Sequence, residues 1–173
     1  MQRIFATLAL AVLAVAPAAY AQATAVGSVT IGAEAGLTVP ATPLFTLTGG
    51  PFSAFIATTN LTYFIRTSQA GGSGNIQVKV ATDYTPAGGP SAAAANLKYA
   101  CTASNPGNNG TATGCTGAVT ASTTAQTPVT SFGPDARSSL AGNSVSIQWS
   151  LKDDPSYKAS SYTATVTFTI SAN

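Results

Sequence analysis

The stretch SSYTATVTFTISAN (residues 160–173) decides the fold class. Tyr162, Ala164, Val166, Phe168, Ile170 and Ala172 fall on one phase; Thr163, Thr165, Thr167, Thr169 and Ser171 fall on the other. Side chains of a β-strand alternate between two faces, so this pattern specifies a strand with one apolar and one hydroxylic face. The β-branched Thr, Val and Ile suit it.

Working backwards, the same grammar recurs. In NSVSIQWSLKD (143–153), Val145, Ile147, Trp149 and Leu151 alternate with Ser144, Ser146, Gln148 and Ser150. Trp149 shares the apolar phase, which marks it as a core residue. GNIQVKVATDY (74–84), NLTYFIRTS (60–68), NLKYACTA (96–103) and AVGSVTIGA (25–33) read as further strands, with GAVTAS (117–122) and TPVTSFG (127–133) weaker. Residues 36–50 form two short runs broken by Pro40 and Pro43, the mark of an edge strand or a bend. AGGSGN (70–75) reads as a hairpin loop between its neighbouring strands. Helical periodicity is absent downstream of residue 22, save for one helical turn offered by PSAAAANLKY (90–99). About eight or nine short strands with regular turn signals predict an all-β chain, an immunoglobulin-like β-sandwich in the broad sense.

The first residues carry different information. MQRIFATLALAVLAVAPAAYAQA has one basic residue, Arg3, then an apolar run, then Ala19-Tyr20-Ala21. That is the layout of a secretory signal peptide cleaved after Ala21. The run is too short for a bilayer helix, which takes roughly 20 residues. The expected organisation is a signal peptide over residues 1–21 and one β-sandwich domain over 22–173. The expected location is exported: periplasm, cell surface or extracellular space, without stable membrane insertion.

Cys101 and Cys115 are the only cysteines. In an exported chain they read as one disulfide. Closing a loop of this size stabilises the fold by about 3 kcal/mol. Both precede Trp149, unlike the Cys, Trp, Cys order of antibody domains, so the bond is expected to pin a local loop or hairpin and not to bridge the two sheets in the antibody manner.

Several chemistries are excluded or left without residues. Charged residues make up 7% of the chain, against about 25% in ordinary globular proteins, and they are scattered, so nucleic acid has no basic stripe to bind. There is no His, which removes the commonest general base and metal ligand. GGSG (71–74) and GNNG (107–110) lack the Lys-Ser/Thr of a phosphate loop. Ser156 and Lys158 are two apart, not at Ser-x-x-Lys spacing. Asp153 and Asp154 read as a solvated Asp-Pro turn rather than a Ca²⁺ site. NLT (60–62) and NGT (109–111) match the glycosylation sequon, a motif frequent by chance. The reading is of a non-enzyme with no metal and no cofactor.

Two function classes fit. The apolar phase of the first strand, Ala25, Gly27, Val29, Ile31 and Ala33, has the thin profile of a donor strand, an extended segment added to the sheet edge of another subunit. The ending YTATVTFTIS resembles the terminal strand of spore coat protein U-like domains and pilin subunits. That resemblance implies a structural or adhesive surface protein, a pilus- or filament-type subunit, whose partner is a copy of itself or a related subunit. It also implies that Tyr162, Ala164, Val166, Phe168 and Ile170 line the acceptor side. The other class is a self-contained secreted module that binds a glycan or protein ligand; Tyr84 and Tyr157, near turns, are its candidate platform residues.

Overall fold

The computed structural model describes residues 27–41, 43–102 and 105–173. The expected signal peptide and Ala25 lie outside them. Every strand falls in one unit, Ile31–Asn173; of the residues before it, Gly27–Thr30 are described and carry no secondary structure.

Ten strands form, and among the described residues no helix: β1 (Glu34–Thr38), β2 (Thr46–Leu47), β3 (Phe55–Arg66), β4 (Gly74–Thr85), β5 (Leu97–Cys101), β6 (Ala112–Gly114), β7 (Val119–Thr120), β8 (Thr127–Phe132), β9 (Asn143–Leu151) and β10 (Thr163–Ala172). The count slightly exceeds eight or nine; β2 and β7 fall within runs read as short or weak strands, and β6, three residues too short to show a period, falls where no strand was expected. The strands make two antiparallel sheets. One has the order β1-β3-β9-β5-β7, with β2 also on β3; the other has β10-β4-β8-β6.

The inner phases meet in one core, the arrangement of a β-sandwich. Leu61 and Tyr63 of β3, Ile76, Val78 and Val80 of β4, and Val145, Ile147 and Trp149 of β9 are buried. Each buried aliphatic side chain stabilises the fold by roughly 1.5–3 kcal/mol. The Trp149 indole N–H donates to Thr59 Oγ1 at 2.9 Å, which satisfies the two buried polar groups the core contains at this point.

Three expectations are corrected. The loop 70–75 is no hairpin: β3 and β4 belong to different sheets, and Thr67–Ser73 crosses between them. Seven residues easily span the ~10 Å between packed sheets, and both apolar phases can then face one core. The strand expected over 25–33 is not formed across the described residues 27–33; the first strand starts at Glu34, which pairs with Arg66, the last residue of β3. The described residues Gly27–Ala33 therefore have no strand opposite them. Third, Cys101 ends β5 in one sheet, whereas Cys115 follows β6 in the other and donates its N–H to Val129 of β8. The disulfide closes a short loop in sequence and joins the two sheets in space, with Cα atoms 5.4 Å apart.

Pro40 and Pro43 act as read. β1 and β2 lie along the same edge of β3, interrupted between Val39 and Phe45. Proline lacks the N–H a ladder needs, so the edge is broken there.

Candidate functional site

β10 and β1 are the edge strands of their sheets and face each other across one side of the sandwich. β10 pairs with β4 alone, in register Val166↔Val80, Phe168↔Val78 and Ile170↔Ile76. On each rung both side chains point inward, yet their burial differs. Ile76, Val78 and Val80 are at most 1% exposed; Val166, Phe168 and Ile170 are only half-buried, as are Ala164 and Ala172.

The facing wall shows the same shortfall. Leu37 pairs with the fully buried Tyr63 and Ala35 with the buried Ile65, so both point inward. Leu37 is nevertheless half-buried and Ala35 is exposed. Phe45 and Phe55 continue this half-covered wall. The result is an apolar seam between β1 and β10 with an unpaired backbone edge beside it. Phe168 is held in place from behind by Trp149, ring centroids 6.4 Å apart and edge-on. Register shifts between Thr163 and Val166 bend the first part of the edge.

The chain reaches this seam from a definite end. Ser68 donates to the Asn173 carbonyl at 2.8 Å, and the Arg66 Nε–H donates to the Gly32 carbonyl at 3.0 Å while its guanidinium pairs with Glu34. Residues 31–33 are thus tied to the same pole as the end of β10. Among the residues proposed from sequence as a donor strand, Val29 is 83% and Ile31 66% exposed, and Gly27 and Ala33 are exposed too.

Tyr162 stands apart from the other terminal-strand residues. It precedes β10, its hydroxyl donates to the Lys158 carbonyl at 2.6 Å, and its ring lies so close to Gly89 that a Cβ there would meet it at 2.3 Å. It fastens two connections together and does not line the seam.

The two tyrosines read as a ligand platform are both half-buried. Tyr84 packs against the core, and burial, with Asp83 adding to it, pushes its phenol up to about 12. Tyr157 follows the Lys152–Asp154 ion pair, in a turn where its N–H donates to the Asp154 carbonyl; burial raises its pKa as well. Asp154 also accepts from the Ser156 N–H and hydroxyl, and Lys152 and Ser156 together hold its carboxyl well below the usual range. It therefore closes a turn. No group of three or more potential metal ligands occurs among the described residues.

A residue with a structural task that sequence reading missed is Asp83. Its oxygens accept from the N–H groups of Tyr84, Ala92 and Ala93 and from the Ser91 hydroxyl. Burial disfavours its charge, but these bonds outweigh that and lower its pKa. It organises the turn Ala92–Ala95 and seats Ala92 in the core. Its only sequence signal is an acid seven residues ahead of a Pro-Ser-Ala-Ala run.

Compared with known proteins, the chain matches no family model, no curated protein and no solved structure. Among the described residues no helix is long and apolar enough to cross a membrane.

Proposed function

We propose that this is an exported, non-enzymatic immunoglobulin-like sandwich, a surface or filament-type subunit whose segment from Gln22 to Ala33 inserts beside β10 of another copy. The observation that carries the reading is the rung-by-rung contrast between β4, fully buried, and β10, half-buried on the same inward phase. An added strand would pair the free edge and cover the seam. Ala25, Gly27, Val29, Ile31 and Ala33 repeat every second residue, as do Ala164, Val166, Phe168, Ile170 and Ala172, so the two sets match in period and length. Burying Val29 or Ile31 contributes roughly 1.5–3 kcal/mol each.

Chain direction supports insertion into a neighbour over folding back. β1 runs away from the pole at which β10 ends. For the preceding residues to pair with their own β10, the chain would have to reverse between Ala33 and Glu34 with nothing between them. A tight hairpin takes at least about two loop residues.

The test is light scattering on the oxidised chain from Gln22. Ladders of oligomers are expected, and Val29→Asp with Ile31→Asp should leave a folded monomer. A peptide spanning 22–33 should bind that monomer and protect its β10 amides from hydrogen exchange. A wild-type chain that stays monomeric with β10 amides already protected would sink the proposal.

A further inference from the structure

Two apolar side chains sit fully outside the core on tight turns, and they lie at opposite poles. Phe52 occupies the third position of the turn Gly50–Ser53, closed by the Ser53 N–H on the Gly50 carbonyl at 3.2 Å. After Pro51 at the second position, this place normally takes Gly, because φ is positive. Phe52 adopts φ 62° and is 60% exposed, with Leu44 and Leu47 also exposed nearby in sequence. An aromatic held in a sparsely populated backbone conformation and pointed at water is a costly arrangement in an isolated copy.

At the other pole, Leu140 is 99% exposed on the turn Ser139–Gly142, closed by the Gly142 N–H on the Ser139 carbonyl at 3.0 Å. Beside it lies a cleft of about 530 Å³, lined by Phe64, Leu140 and Gly36 together with the charged Glu34, Arg66 and Arg137. Phe64 points outward from β3 and is half open to solvent. The turn 138–142 belongs to the pole of residues 31–34, because Ser138 donates its N–H to Ile65. The nine β3 residues Phe55–Tyr63 separate Phe52 from this cleft by roughly 30 Å.

The junction of segment and domain makes these features relevant to each other. The last apolar position of the segment, Ala33, abuts the first residue of β1, so no linker separates an inserted strand from its own domain. Two consecutive copies must touch pole to pole. A segment antiparallel to β10 enters at the Ala172 end and finishes at the Thr163 end. That end is also where β3 begins, next to the Phe52 turn. The pole bearing the Leu140 cleft of the donating copy is thereby delivered onto the Phe52 pole of the accepting copy. A parallel segment would instead bring two Leu140 poles together and close a pair.

Resting on the donor-strand reading, we infer that the Phe52 turn of one copy seats in the Phe64–Leu140 cleft of the next, a head-to-tail contact that sets the polarity of the assembly. Such a contact uses two different surfaces and so propagates head to tail, into an open filament unless the rotation between copies closes a ring. It also covers Phe52 and Leu140, which the single copy leaves in water, and antiparallel pairing is the slightly stronger ladder.

The experiment introduces one thiol per chain. Chains from Gln22 carrying Phe52→Cys are mixed with chains carrying Leu140→Cys and joined by a short bis-maleimide, with the native disulfide kept oxidised. Both positions are exposed, so folding is not at stake. The mixed 52–140 product is expected in several-fold excess over either like pair, and it should vanish when Ile31→Asp is added to both chains. A dominant 140–140 product would overturn the contact and leave strand donation standing, as a closed pair. Oligomer ladders without any cross-link would likewise overturn only the contact. Absence of both ladders and cross-links would overturn the contact and the donor-strand reading together.

Discussion

The two sides of this sandwich are built from the same alternating grammar but finished differently. On one side β5 and β7 face β6 and β8. There the Cys101–Cys115 bond joins the sheets, the Tyr99 hydroxyl donates to the Pro128 carbonyl at 2.8 Å, the Val80 N–H donates to Ser122, and Ala121 and Val129 are buried. Burial of Tyr99 raises its phenol pKa despite the nearby Thr127 hydroxyl. On the other side β1 and β10 meet with no covalent tie, and their inward side chains stay half open. The locked side can hold the fold without the open one. On the proposed reading, the open side is where association with another strand would add stability.

The sharpest way to break that comparison uses one rung. Ile76 and Ile170 are cross-strand partners of identical chemistry, one fully buried and one half-buried. In the chain carrying Ile31→Asp, Ile76→Ala should cost about 4 kcal/mol, as a filled core site does. Ile170→Ala should cost about 1–2 kcal/mol, because less apolar area is lost. Urea midpoints measure both. Adding the 22–33 peptide should raise the cost of Ile170→Ala and leave that of Ile76→Ala unchanged. Equal costs without peptide would mean that the seam is already closed.

Second in size is the lock itself. Replacing Cys101 and Cys115 by Ser should lower stability by about 3 kcal/mol. The expected reading is a shift of the thermal transition with no change in the ladder of oligomers formed below it. A chain that unfolds in the same transition but also loses assembly at low temperature would show that the two sides are coupled.

Much of this contrast was invisible in the sequence, for reasons that particular residues make plain. Alternation in β9 and β10 announced strands, and Trp149 on the apolar phase announced a core residue, because a period of two is a local property. Sheet membership is not local. Nothing in AGGSGN distinguishes a turn back within one sheet from a step across to the other, and the spacing of Cys101 and Cys115 does not say that their strands lie in different sheets. β6 hides in a Gly- and Thr-rich loop because three residues show no period. The segment around Val29 and Ile31 alternates as well as β9 does, yet residues 27–33 form no strand, because alternation states compatibility with a sheet and not the presence of a partner. The half-open inner face of β10 is a fact about neighbours, and its residues look the same whether covered or not.

Asp83 lies near the less buried end of β4 and should respond to acid. Its folded pKa is depressed, so its contribution is complete above the unfolded value of about 3.9 and is lost as pH falls through the lower folded value. Asp83→Asn keeps one acceptor oxygen and should cost about 1 kcal/mol at neutral pH. The gap between wild type and variant should narrow steadily below about pH 4. A gap independent of pH down to the acid transition would mean that the carboxylate charge does not hold the Ala92 turn.

The smallest effect is expected where the open side begins. Glu34 and Arg66 pair across β1 and β3, and the Glu34 side chain is 73% exposed. An exposed pair of this kind contributes about 0–1 kcal/mol, and salt near 0.15 M screens charges beyond about 8 Å. Glu34→Gln should therefore shift the urea midpoint barely, and adding salt should not release residues 31–33, since the Arg66 Nε–H still reaches the Gly32 carbonyl. The substitution is informative because of its position. If β1 is a lightly attached edge, its stability contribution is small whichever contact is removed, and the domain tolerates the loss because the locked side carries the core. A loss of several kcal/mol would mean that β1 seals the fold as firmly as β5 does. The two sides would then differ only in how they are built, and strand donation would lose the asymmetry on which it rests.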